Sequence, residues 1–248
     1  MNRVWPYVAL GVVAYLVFAT VTLPANVVVP RVQPPSVTLA GLDGTIWNGS
    51  AQVLQVAGTH LGSVRWKLHV LPLLTLRPAA TVEIRRTDGF ARGDVSFSGN
   101  RVALEDVSAA LPISALPPRA VPGGWQGSIN ARFAALTLAD GWPIAAAGTV
   151  ELLNLTGPAR RPMNLGSLQV TFPAAAGDSD TLTGTINDID GPIELTGTLQ
   201  LKASDRSYLV DGWIKTKPDA PADLVRSLNF PGEVDAQGRR QFSFSGNL

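Results

Sequence analysis

The 248-residue chain contains no cysteine. That excludes a disulfide framework, a thiolate metal site and a cysteine nucleophile. Histidine is scarce as well, with only His60 and His69. They stand nine residues apart, which is no ligand spacing, and His69 alternates with Arg65 and Lys67 on a polar strand face. Charged residues make up 16% of the chain, below the roughly 25% of ordinary soluble proteins. The 20 basic residues are matched by 19 acidic ones, and no basic run exceeds two. Nothing in that balance attracts a polyanion, so no nucleic-acid partner is expected.

The chain also lacks a Gly-x-Ser-x-Gly elbow and a phosphate-binding loop. The stretch Asn187-Asp188-Ile189-Asp190-Gly191 lacks the acidic spacing and closing Glu of a calcium loop, and reads as a hairpin turn. No acid/base carboxylate pair stands out for glycoside hydrolysis. The sequence therefore predicts no catalytic, metal or cofactor-binding residue. The expectation is a protein that is not an enzyme and carries no cofactor.

What is present begins with one apolar run. Val4 to Leu23 is 20 residues without a charge, which as a helix spans ~30 Å, about one bilayer core. A cleaved signal peptide normally has a shorter apolar region. Residues 1–23 are thus expected to form a transmembrane anchor. Arg3 on the short flank keeps the N-terminus inside, and Trp5, Tyr7, Tyr15 and Phe18 supply aromatic contacts to the membrane. Residues 24–35 contain Pro24, Pro30, Pro34 and Pro35 and read as an extended tether.

From residue 36 to 248 the dominant signal is alternation with period two. Val64, Trp66, Leu68 and Val70 oppose Arg65, Lys67 and His69. Ala80, Val82 and Ile84 form a second apolar face, Ile193, Leu195, Leu199 and Leu201 a third, and Tyr208, Val210 and Ile214 a looser one. Phe242, Phe244 and Leu248 close the chain in the same way. Gly, Asn and Asp turn signals separate these segments, among them Asp43-Gly44, Asp88-Gly89, Gly99-Asn100 and Asp140-Gly141. The fold class expected is mainly β: about 12 to 14 strands in long, curved, largely antiparallel sheet. Two short helices are expected, one in Asp219–Phe230 capped by Asp219, the other in Glu105–Leu116. The Pro-rich stretch from Leu116 to Gly124 divides the domain into two similar halves, 36–116 and 123–248.

One motif recurs. Gly44-Thr45-Ile46-Trp47-Asn48-Gly49-Ser50 is echoed by Gly124-Trp125-Gln126-Gly127-Ser128. Neither copy brings a base to its serine, so nucleophilic chemistry is not indicated. The indoles, including Trp66 and Trp213, are expected to pack in a core, and the glycines to admit close backbone approach.

With the leading anchor, the ordered elements Gly44, Trp47 and Gly49, then Val64, Trp66 and Leu68, then Gly124, Trp125 and Gly127 carry a likeness. The chain resembles the protein N family of the bacterial type II secretion system over nearly its whole length. The resemblance implies a single-pass inner-membrane protein with its C-terminal domain in the periplasm. It implies a non-catalytic component that binds other secretion components, namely inner-membrane platform proteins and the secretin. It brings no catalytic residues. The chain is also distantly similar to the AsmA-like proteins, whose curved sheets present an apolar groove, so a lipid or apolar-ligand carrier is the alternative.

Overall fold

The computed structural model describes residues 5–69, 77–116, 124–157, 163–174, 180–228 and 233–247. Val4, Val70, Leu248 and most of the expected divider, residues 117–123, lie outside them. Thirteen strands follow one another. The first six are β1 (Val37–Gly44), β2 (Asn48–Val56), β3 (Thr59–His69), β4 (Ala79–Arg85), β5 (Phe90–Ser98) and β6 (Arg101–Pro112). Then come β7 (Gln126–Ala139), β8 (Trp142–Gly157), β9 (Met163–Phe172) and β10 (Thr181–Asp190). The series ends with β11 (Ile193–Lys202), β12 (Ser207–Thr216) and β13 (Arg240–Asn247).

Every strand pairs antiparallel with its chain neighbour, giving one 13-stranded sheet in the order β1 to β13. The turn residues account for the tight connections. Ala57-Gly58 and Asp140-Gly141 both hold positive φ at each position, the backbone of a two-residue hairpin loop whose twist suits the strands. Across the expected divider, β6 and β7 pair from Arg101↔Ala139 to Pro112↔Ser128. The two stretches are therefore parts of one continuous sheet.

Alternation places the apolar side chains on a common face. Trp66, Val82 and Gly93 occupy one register row across β3, β4 and β5. The largest buried cluster gathers Leu155, Leu168, Ile186, Ile193, Leu195 and Ile214 from β8 to β12. Ile193 is 1% exposed, and burial of such a side chain contributes about 1.5–3 kcal/mol. The third helix among the described residues, α3 (Ala222–Ser227), lays Leu224 on this cluster. A 3-10 turn, Ile113–Ala115, adds Ile113 to the same cluster and also touches β3. A smaller cluster holds Ala51, Leu54 and Val64.

The structure departs from expectation at four points. The first helix, α1 (Trp5–Val21), has 17 residues, about 25 Å by its rise. Among the described residues no helix is long and apolar enough to cross a membrane. Helix α1 ends at Val21, and the chain turns at Thr22 ahead of Pro24. Second, the tether is not extended throughout: α2 (Ala25–Val32) forms with Pro30 inside it. Pro24 stands just before its first residue and Gln33, extended ahead of Pro34, ends it, so the prolines bound the helix at both ends. Third, Glu105–Leu116 is strand β6 followed by the 3-10 turn. Asp106 adopts φ +49 there, opposite register shifts in the β5 pairing, so an irregular strand masked its own alternation. Fourth, Asp219 does not cap α3. Pro221 occupies that position without a side-chain hydrogen bond.

Candidate interaction surface

The leading helix and the sheet meet at the first Gly-x-x-Trp-x-Gly motif. Trp47 stands in the β1–β2 turn, and its Nε1–H donates to the Thr20 carbonyl oxygen at 2.7 Å. Ile46 N–H donates to Leu23 O at 3.1 Å, and Pro24 bridges Thr45. From β3, Trp66 Nε1–H donates to Ile46 O at 3.0 Å, while Leu68 N–H donates to Trp47 O at 2.7 Å. The turn is thus fastened to α1 on one side and to β3 on the other. Gly49 is required by this arrangement. A Cβ there would lie 2.4 Å from Trp66 Cζ2 and 2.7 Å from Thr45 O. Gly44 holds φ +83 at the start of the same turn.

The second motif is used differently. Gly124 is exposed ahead of β7, and Trp125 packs at the margin of the largest cluster, over Gly157. Gly127 runs close to the Leu153 carbonyl, where a Cβ would sit 2.6 Å away. Trp66 belongs to the small cluster and Trp125 to the large one, so the two motif copies do not form a common site. Trp213 departs from expectation. It lies between Gly212 and Ile214 on β12 and lines an open depression on the polar face, with the Arg239 guanidinium 6.0 Å from its ring. Alternation was the signal that places Trp213 on this side, since Val210 and Ile214 face the core, but the expectation grouped it with the core indoles. On α1, Trp5, Tyr7, Tyr15 and Phe18 are all exposed, from 67% to 77%.

The nearest approach to a catalytic array is a chain of three polar groups. His69 Nε2 is 3.0 Å from Thr81 Oγ1, which donates to Asp94 Oδ1 at 2.6 Å. Thr81 has one proton and spends it on Asp94, so His69 donates to Thr81 and is not its base. His60 offers its carbonyl to Arg86. Among the described residues no three His, Cys, Asp or Glu side chains converge as a metal site. Asp188 and Asp190 serve the β10–β11 hairpin. Asp188 accepts Leu195 N–H and pairs with Lys217 at 3.1 Å, and Asp190 accepts Gly191 N–H.

Two turns carry fixed carboxylates. The hydrogen bond from Arg86 holds the Asp88 carboxyl below the usual range, and Asp88 in turn raises Arg86. Partial burial pushes Asp235 up, but backbone and guanidinium hydrogen bonds from Arg239 outweigh it and leave the carboxyl low. Both are structural pairs at loops. On the apolar face, Val82, Ile84, Gly93, Val95, Leu104 and Val107 line an open depression of about 200 Å³ with almost no polar surface.

Comparison with known proteins assigns the fold a family. The family model "Type II secretion system (T2SS), protein N" matches residues 35–243. The chain belongs to this protein N family. Its curated relatives match from end to end. The type II secretion system protein N of Aeromonas hydrophila is 28% identical over 250 positions, covering 97% of each chain. That of Vibrio cholerae serotype O1 is 24% identical and covered fully on both sides. The Pectobacterium carotovorum subsp. carotovorum protein is 23% identical, over 96% of this chain and 94% of its own. No solved structure gives a significant match.

Proposed function

We propose that this protein is a non-catalytic component of the type II secretion apparatus. The leading segment holds it at the inner membrane, single-pass with the N-terminus inside, and the sheet lies in the periplasm, where it binds other secretion components. Residues 1–23 serve as the anchor, and residues 36–248 act as one periplasmic unit. Membership of the protein N family supports the place in the machine. The observation that carries the binding role is the free end of the sheet. From Gln241 to Asn247, β13 has no charge and no proline, the devices that usually blunt an edge strand. Among the described residues its outer side is bridged only at its start, Val234↔Arg240, with Gln241 N–H donating to Glu233 O. Phe244 is 64% exposed there. Such an edge accepts a partner strand through main-chain hydrogen bonds, and the partners are inner-membrane platform proteins and the secretin. Tethering to one membrane raises the effective concentration.

Deletion of the gene tests the reading. Exported enzymes accumulate in the periplasm, and the wild-type chain restores their release. Unimpaired secretion in the deletion strain overturns the role.

A second reading is favoured by the apolar depression between β4 and β6. A lipid carrier of AsmA-like type would seat an acyl chain against Val82, Val95 and Leu104. Phospholipid retained by the purified full chain, seen in native mass spectra, supports that reading, and an empty depression removes it.

A further inference from the structure

The polar face of β10 to β13 carries an open depression of about 350 Å³. Two register rows cross it. One runs Asn187, Thr196, Trp213, Gln241, and the next runs Thr185, Thr198, Asp211, Ser243. Between the rows Gly197 pairs with Gly212, and both residues line the depression. A large aromatic ring therefore stands among amides and hydroxyls on the face opposite the core.

The surroundings are fixed but unspent. Thr198 Oγ1–H donates to Asp211 Oδ2 at 2.6 Å and sets the carboxylate. Asp235 holds Arg239 at 2.7 Å, and Arg239 in turn lies over the Trp213 ring. Among the described residues, Trp213 Nε1–H, the Thr196 hydroxyl and the Asn187 and Gln241 amides have no hydrogen bond within the protein. Glu194 and Lys215 close the neighbouring row as an ion pair at 3.1 Å.

The chemistry selects among ligands. Arg239 is the cation beside the ring and is already paired, while Asp211 presents a negative charge, so a phosphate-bearing ligand is repelled. The polar lining gives an acyl chain nothing to gain. A pyranose ring has an apolar C–H face and a rim of hydroxyls that both donate and accept. An indole beside an oriented carboxylate, two amides and a hydroxyl complements both features.

We propose that this depression binds a pyranose unit of a saccharide chain, stacked on Trp213 and hydrogen-bonded by Asn187, Thr196, Asp211 and Gln241. The site does not depend on the membrane topology or on the secretion role. Calorimetric titration of the full chain, held in a zwitterionic detergent without sugar headgroups, tests it. The probes are chitotetraose, an N-acetylhexosamine chain, and cellotetraose, a plain hexose chain, and their comparison identifies the source of the sugar. At least one binds saturably. Trp213→Ala weakens it by about tenfold or more, Trp213→Phe by less, and Asn187→Ala measurably. Absence of saturable binding of both probes overturns the proposal, as does binding that Trp213→Ala leaves unchanged. If circular dichroism shows that Trp213→Ala does not fold, Asn187→Ala and Asp211→Asn decide, and full binding by both overturns it.

Discussion

Trp47 donates its indole proton to the carbonyl of Thr20, 27 positions earlier in the chain. A helix end leaves its last carbonyls without intrahelical partners, and here a turn of the sheet supplies one. The bond sets how the leading helix leaves the domain. Trp47→Phe keeps the ring and deletes the donor. The expected loss is about 1 kcal/mol, with faster hydrogen exchange and easier proteolysis around Thr22–Ala25. An unchanged exchange pattern at that junction refutes the coupling.

Gly49 lies beneath the Trp66 ring. Gly49→Ala forces a methyl to 2.4 Å from Cζ2 and 2.7 Å from a backbone oxygen, and overpacking of this kind costs about 1–3 kcal/mol. Gly141 provides the comparison, because a Cβ there meets nothing within 4 Å and only its φ of +79 resists. Gly141→Ala is expected to be the milder of the two by chemical denaturation.

In the main cluster, Ile193→Ala removes a side chain that is 1% exposed. Truncation at such a site costs about 2–5 kcal/mol. Leu224, at 2% exposure on α3, covers the same cluster, so Ile193→Ala and Leu224→Ala are expected to be non-additive. Additive losses would mean that α3 is not seated on the sheet.

The β4–β5 turn carries a pH dependence of known sign. Asp88 has its carboxyl lowered by the hydrogen bond from Arg86. A lowered folded value means its contribution is complete above the unfolded value, near 3.9, and fades as pH falls through the folded one. Protection of the Arg86–Gly89 amides, taken relative to intrinsic exchange, is therefore expected to be flat above about pH 5 and to fall only in stronger acid. Asp88→Asn abolishes that acid limb. An onset near neutrality would contradict the pairing.

Much of the fold was legible because its elements follow local rules. Val82 and Ile84 alternate cleanly, and Asp140-Gly141 supplies the backbone that a tight hairpin needs. Strands that break alternation were hidden. Asp106 at φ +49 shifts the pairing of β6, so Val107 and Ala109 fell out of phase with Leu104 and the segment resembled a helix. The prolines of residues 24–35 were read as forbidding a helix, whereas Pro24 and Pro34 bracket one and Pro30 costs it a single donor. The first tryptophan motif was recognisable as a pattern with an indole in need of a partner. That the partner is Thr20 is a long-range fact, set by where α1 ends. Trp213 was grouped with the core indoles, although its own neighbours Val210 and Ile214 place it on the other face.

Photo-crosslinking in secreting cells tests the central claim most directly. The crosslinker is placed at Phe244 or Ser245 on the open edge, in the full chain at native expression, and the adducts are identified by mass spectrometry. The account predicts adducts with other type II secretion components at these positions, lost when Phe244 is replaced by lysine. Adducts confined to proteins outside the secretion apparatus, or none in cells that depend on the chain for secretion, would contradict it.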